Sequence, residues 1–174
     1  DNFSFPNPAI MMLDYDPPAD GSKLTPTGFV RIMRKAYPPL KKLKMLVRPS
    51  ASSHLFNGTE AIVGLSGFHV YFFVKQGEWI PEIGKALETY LWNKGHGRIQ
   101  FSRSGAALPR CLVDTAVWQP ERLDFVAGGA CKPPLERRPE SSSFVEGTEK
   151  ILSAFDPVPV SATDRFRKAV ATAK

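Results

Sequence analysis

The stretch Ala9-Ile-Met-Met-Leu-Asp-Tyr-Asp-Pro-Pro18 constrains this chain most: an apolar run, two acids, then two prolines. Ala9 to Leu13 reads as a buried strand, and Pro17-Pro18 cannot donate to a ladder, so the strand ends just after Asp16. Alternation along a strand puts Asp14 and Asp16 on one face and Tyr15 on the other. Two carboxylates at the mouth of a hydrophobic strand either open a polar turn or share a cation that offsets their desolvation. The rest of the sequence has to decide between these readings.

At 174 residues and 43% hydrophobic content, the chain can bury one sizeable core. It begins at Asp1 rather than Met, as expected of a segment from a longer protein. A net charge of +6 points towards an anionic partner. Cys111 and Cys131 are isolated, which excludes a CxxC zinc site or a disulfide framework and fits a reducing, cytoplasmic setting. No run approaches the roughly 18 apolar residues of a membrane span, so no membrane partner is expected. Asn57-Gly-Thr59 reads as a turn rather than a glycosylation site.

Thr25 and Pro26 carry the cap and first-position signals of a helix running to about Ala36, with Phe29, Ile32 and Met33 as its core stripe. Lys41, Lys42 and Lys44 lead into a strand at 43–47, followed by the small-residue loop Pro49-Ser-Ala-Ser-Ser53. Phe68-His-Val-Tyr-Phe-Phe-Val74 is apolar on both faces and is expected to be a central strand, with His69, Tyr71 and Phe73 sharing one face. Ile80, Ile83, Leu87 and Leu91 give a helix to about Lys94, stopped at Gly95. Strands are expected at 98–102 and 110–113, the second ending at Asp114, and an extended stretch at 123–126 before Gly128-Gly129. Residues 133–143 read as a linker or strap, with helical patches near 144–155 and 162–171. The expected architecture is α+β, one sheet with helices on one face, divided into a core at 1–132 and a strap with a C-terminal helical segment at 133–174.

If the strands ending near Asp14, His69 and Asp114 are neighbours, three carboxylates (with Asp16) and an imidazole meet on the uncovered face of the sheet. That inventory suits two-metal phosphoryl transfer, in which an all-oxygen set holds Mg²⁺ or Mn²⁺ and His69 donates to a phosphate oxygen. The competing reading of His69 is a hydrogen-bonded core histidine. His54 and His96 read as loop and turn residues. The basic residues Arg31, Arg34, Lys41, Lys42, Lys44, Arg98, Arg103 and Arg110 form either a template track or a solvated face. Trp79, Trp92 and Trp118 read as packing residues. Ser66 lacks a base-and-acid relay, which excludes a serine hydrolase, and the absence of a His-x-His pair disfavours a relaxase.

Three segments together resemble the motifs of the archaeo-eukaryotic primase superfamily, the primase-polymerases. Asp14-Tyr-Asp16 after its strand is similar to the hhhDhD first motif. Ser66-Gly-Phe-His69-Val-Tyr-Phe resembles the second. Val113-Asp114-Thr-Ala-Val-Trp-Gln-Pro-Glu-Arg122 resembles the third, and the match covers about residues 9–132. The resemblance implies an RRM-like catalytic sheet, with Asp14, Asp16 and Asp114 as catalytic metal ligands. Ser66 and His69 would contact the triphosphate of the incoming nucleotide, and Arg122 and Lys132 would neutralise triphosphate or template charge. Family members usually carry a strand and a helix ahead of the first motif, whereas eight residues precede Ala9. The implied activity is template-directed nucleotidyl transfer from NTP or dNTP to a 3′-hydroxyl in replication, on a single-stranded or primed DNA template, with a helicase domain expected in the same longer chain. Alternatives that use the same carboxylates are a metal-dependent nuclease and a non-templated nucleotidyltransferase; an alternative of a different class is a non-catalytic, RRM-like single-strand-binding module of a replication initiator, which needs no metal.

Overall fold

The computed structural model describes residues 3–18, 21–122, 124, 130–138 and 141–173. Along the chain these form β1 (Ala9–Tyr15), α1 (Pro26–Ala36), β2 (Met45–Pro49), β3 (Leu55–Asn57), β4 (Glu60–Val63), β5 (Phe68–Val74), α2 (Ile80–Asn93), β6 (Arg98–Phe101), β7 (Ala107–Arg110), β8 (Leu135–Arg137), β9 (Ser143–Val145), β10 (Ile151–Leu152) and α3 (Val160–Ala173). The fold is α+β, and its largest sheet runs β1-β5-β2-β9 with β10 beside β5.

β5 is central, as its sequence predicts. It is antiparallel to β1 on one edge and to β2 on the other, while β10 runs parallel to its last residues. The alternation along β1 and β5 decides which face is buried. Met11, Leu13 and Tyr15, with Phe68, Val70, Phe72 and Val74, are sealed from solvent, and the intervening residues are half-buried or exposed. Thus only one face of β5 is covered, and its second apolar face stays open.

The covered face packs on α1 and α2. Thr25 caps α1, its Oγ1 accepting from the Gly28 N–H at 3.1 Å, and Pro26 opens the first turn. Phe29 on α1 meets Tyr15 and Phe68 at ring-centroid distances of 5.3 and 5.4 Å. Ile80, Ile83, Leu87 and Leu91 of α2 complete the core, and Gly95, at φ +79°, ends that helix in the left-handed region. α3 lies along α2, with the Asn93 amide donating to the Ala162 carbonyl and Phe166 against Trp92.

Several sequence expectations are corrected. The strand expected at 43–47 is shifted to Met45–Pro49, and that expected at 110–113 to Ala107–Arg110, where it pairs with β6. Asp114 therefore ends no strand. It caps a 3₁₀ turn, Thr115–Trp118, its Oδ1 accepting from the Ala116 N–H at 3.1 Å. The patch at 144–155 contains β9 and β10 rather than a helix, because pairing with β2 and β5 outweighs a weak helical period. Within the expected strap, β8 pairs with β3, and β3 forms a hairpin with β4 across Gly58-Thr59, the turn read from Asn57-Gly-Thr59. Of the stretch expected to be extended at 123–126, only Asp124 is described, and Gly128-Gly129 lies outside the described residues. Among the described residues, no helix is long and apolar enough to cross a membrane.

Candidate active site at the open face of the sheet

The register of the sheet builds the site. Asp14 is the cross-strand neighbour of His69, and His69 is in turn opposite Arg48 of β2. All three side chains alternate with the buried set and face the open side. The His69 Nε2 lies 3.4 Å from Asp14 Oδ1, and the ring is 14% exposed rather than lost in the core.

Asp114 arrives from about 100 residues further on in the chain. Its backbone N–H donates to the Asp14 carbonyl at 3.0 Å, so the third-motif segment lies along the free edge of β1. Four residues later, the buried Trp118 indole donates to the Met12 carbonyl at 3.0 Å and packs against Gly84 of α2. Two bonds to one strand edge, with a ring seated on a helix, hold this turn beside Asp14.

Asp14, His69, Asp114 and Arg122 line one cavity of about 620 Å³, together with Glu121, Asp124 and the loop residues Ala51 and Ser52. Asp16 lies past the end of β1, exposed, with its carboxylate beside the Gly67 backbone. Ser66 and Lys132 do not line the cavity. The Ser66 N–H donates to Ser53 Oγ at 3.0 Å, and Lys132 is exposed where the chain turns into β8, its carbonyl accepting from Leu135.

Asp124 and Tyr71 have no part in the sequence-derived site. The Tyr71 hydroxyl donates to Asp124 Oδ2 at 2.7 Å and lies 3.0 Å from His69 Nδ1, while Asp124 Oδ1 is 3.1 Å from the same nitrogen. With the tyrosine proton given to Asp124, the hydroxyl oxygen is free to accept from Nδ1–H. That fixes the ring plane and leaves Nε2 towards Asp14 and the cavity. Of this pair only Tyr71 had a signal in the sequence, through the face it shares with His69.

The electrostatics are strained in one direction. Burial raises the Asp14 carboxyl from its ordinary 3.8 to about 6; His69 opposes the rise, whereas Asp16, Asp114 and Asp124 add to it. Three further acids act on this half-buried carboxylate through their charge, and its nearest cationic candidate is one imidazole. That donor chemistry fits a hard divalent cation, which Asp14 and Asp114 would hold. Among the described residues, no three His, Cys, Asp or Glu side chains are gathered as a metal-holding group.

Close backbone approach positions the acidic end of β1. A Cβ on Gly67 would stand 2.7 Å from the Tyr15 carbonyl and 3.0 Å from the Asp16 carboxylate, and the Gly67 carbonyl accepts from both the Ser50 N–H and Ser53 Oγ. Gly67→Ala is therefore expected to cost about 1–3 kcal/mol by forcing β1 and β5 apart at this end. A chemical-denaturation midpoint equal to the parent's would show that the contact yields without strain.

Comparison with protein-family models, with curated proteins and with solved structures gives no significant match to this chain.

Proposed function

We propose that this chain is a primase-polymerase catalytic core that transfers a nucleotidyl group from NTP or dNTP to a 3′-hydroxyl on a DNA template. The observation that carries this reading is the meeting of Asp14 and Asp114 beside His69, in a cavity open to solvent and also lined by Arg122. The strand order supports it as well. β1-α1-β2 and β5-α2, with β5 between β1 and β2, is compatible with an RRM-like half sheet, and the Asp114 segment runs beside the free edge of β1.

In this reading, a divalent cation such as Mg²⁺ or Mn²⁺ would supply charge stabilisation at phosphorus and a more acidic attacking hydroxyl. Asp14 and Asp114 would be its ligands, with Asp16 contributing charge from just outside. His69, its ring set by Tyr71 and Asp124, would donate to a phosphate oxygen of the incoming nucleotide from Nε2 in the form that carries a proton on both ring nitrogens. Arg122, which lines the same cavity, would balance triphosphate charge. Ser66 acts through its turn, tying the serine loop to the start of β5, and Lys132 acts from outside the cavity.

The test is extension of a labelled primer on a template with dNTP and Mn²⁺. The expected product is a ladder longer than the primer, lost in Asp114→Asn while circular dichroism stays native. Shortened primer would make the same acids a nuclease. Extension on primer without template would make the enzyme non-templated. Absence of product, with no rise in melting temperature on adding Mn²⁺ and dNTP, would leave a non-catalytic module.

A further inference from the structure

The open face of the large sheet continues well beyond the acidic corner, in three cross-strand rows. Asp14, His69 and Arg48 form the first; Met12, Tyr71, Leu46 and Phe144 the second; Ile10 and Phe73 the third. The last two rows floor a separate, larger cavity of about 840 Å³. Its floor is apolar, and three of its side chains stand unusually far out of it. Ile10 is 58% exposed, Phe73 50% and Phe144 60%.

The charge around this floor is mainly positive, although Lys44 also pairs with Glu146 at 3.2 Å. Lys44, Arg48, Arg122 and Lys150 line the cavity, and the one acid among its described lining residues is Asp124, already engaged with Tyr71 and His69. Lys44 Nζ sits 4.6 Å above the centre of the Phe144 ring, so cation and aromatic face are presented together. Exposed rings on a floor with cations at its rim match a ligand that offers flat apolar faces on an anionic backbone. A folded protein partner would need acids to meet this rim but no stacking faces. An unpaired nucleic acid strand offers both features.

We infer that single-stranded DNA lies across this face, its bases on Phe73 and Phe144 and its phosphates against Lys44, Lys150 and Arg122. DNA rather than RNA follows from the floor. Ile10, Met12, Leu46, Phe73 and Phe144 have no group to pair with a 2′-hydroxyl, and the Tyr71 hydroxyl is already committed. The second cavity borders the first through Met12, Val117, Arg122 and Asp124, which line both. A strand on the floor therefore runs towards His69. The inference deepens the proposed function by locating the template, but it needs neither metal nor nucleotide.

The test is fluorescence polarisation of a labelled oligothymidylate titrated with the whole chain, with a chelator present throughout. Phe73→Ala and Phe144→Ala, both at exposed positions, are each expected to weaken binding about tenfold. Lys150→Ala is expected to lower the slope of log affinity against log salt by about one. Tight binding in chelator without catalytic activity under Mn²⁺ would keep this inference and remove the proposed function. Affinity unchanged in the Phe73→Ala, Phe144→Ala double variant would overturn the inference. So would equal affinity for duplex DNA, equal or tighter binding of the matching RNA, competition by polyglutamate at equal charge, or self-association that the double variant abolishes.

Discussion

Asp14→Asn is expected to make the protein more heat-stable at neutral pH and, at the same time, to abolish primer extension. The stability half follows from the carboxyl's rise from 3.8 to about 6, caused first by burial. A carboxyl raised in the folded state binds its proton more tightly there than in the unfolded chain. Its favourable contribution is complete below about pH 4 and is lost as the pH climbs through 6. Above that window, the ionised side chain, 19% exposed, carries a constant penalty on the order of 3 kcal/mol. Asparagine removes the charge at nearly constant volume, although it also gives up the attraction to His69. The net gain expected at pH 7.5 is about 1–2 kcal/mol, or roughly 2–8 °C in melting temperature for a chain of this size. Near pH 4 the gain should vanish, because the parent's own carboxyl is then protonated.

The activity half rests on the proposed function: removing a carboxylate that would hold the cation is expected to cost about a hundredfold or more. The two halves together discriminate between roles. An acid retained for its bond to His69 would destabilise the fold when neutralised. An acid retained for a cation stabilises the fold when neutralised and loses its function. A melting profile between pH 4 and 8 that lies below the parent's throughout would assign Asp14 to the first role and remove it from catalysis.

How much of this was legible in the sequence depends on the range of the forces involved. The acidic strand, the Thr25-Pro26 helix start, the Phe68–Val74 strand and the Ile80 helix announce themselves through local period and capping, and each lies where its residues place it. β9 and β10 do not. Ser143–Val145 and Ile151–Leu152 are too short to show an alternation, and they are strands because β2 and β5 offer open edges to pair with. β3 and β8 are similar, since Leu55–Asn57 becomes a strand between partners some 75 residues apart, Ala61 and Glu136 flanking Phe56.

The candidate site divides in the same way. Asp14 and His69 could be placed on one face by counting alternate residues, but their direct opposition depends on a register that no single strand encodes. Asp114 was expected at a strand end and lies instead at a turn, so its approach to Asp14 rests on a backbone bond rather than on a shared ladder. Asp124 was invisible because its role is a relation to Tyr71, 53 residues away. A lone acid after Arg122 carries no local sign of that.

The second link that ties the Asp114 turn to β1 is one aromatic side chain, and it supplies the other large effect. Trp118 is 5% exposed, donates to the Met12 carbonyl, and packs where a side chain on Gly84 would have to stand. Trp118→Ala is expected to cost about 3–5 kcal/mol, from the lost contact of a large buried ring and the cavity left between β1 and α2. For a chain of this length that lowers the melting temperature by about 10 °C. Trp118→Phe keeps most of the apolar contact but leaves the Met12 carbonyl without its indole partner, so it should cost only about 1–2 kcal/mol. The functional consequence separates anchoring from bulk stability. At a temperature where the Ala variant remains folded, the Thr115–Trp118 turn has lost its seat, and Asp114 keeps only its backbone bond to Asp14. The rise in melting temperature on adding Mn²⁺ and dNTP should then shrink in the Ala variant and persist in the Phe variant. An equal ligand-induced rise in both would mean that Asp114 is held by its own backbone alone, or that it takes no part in binding.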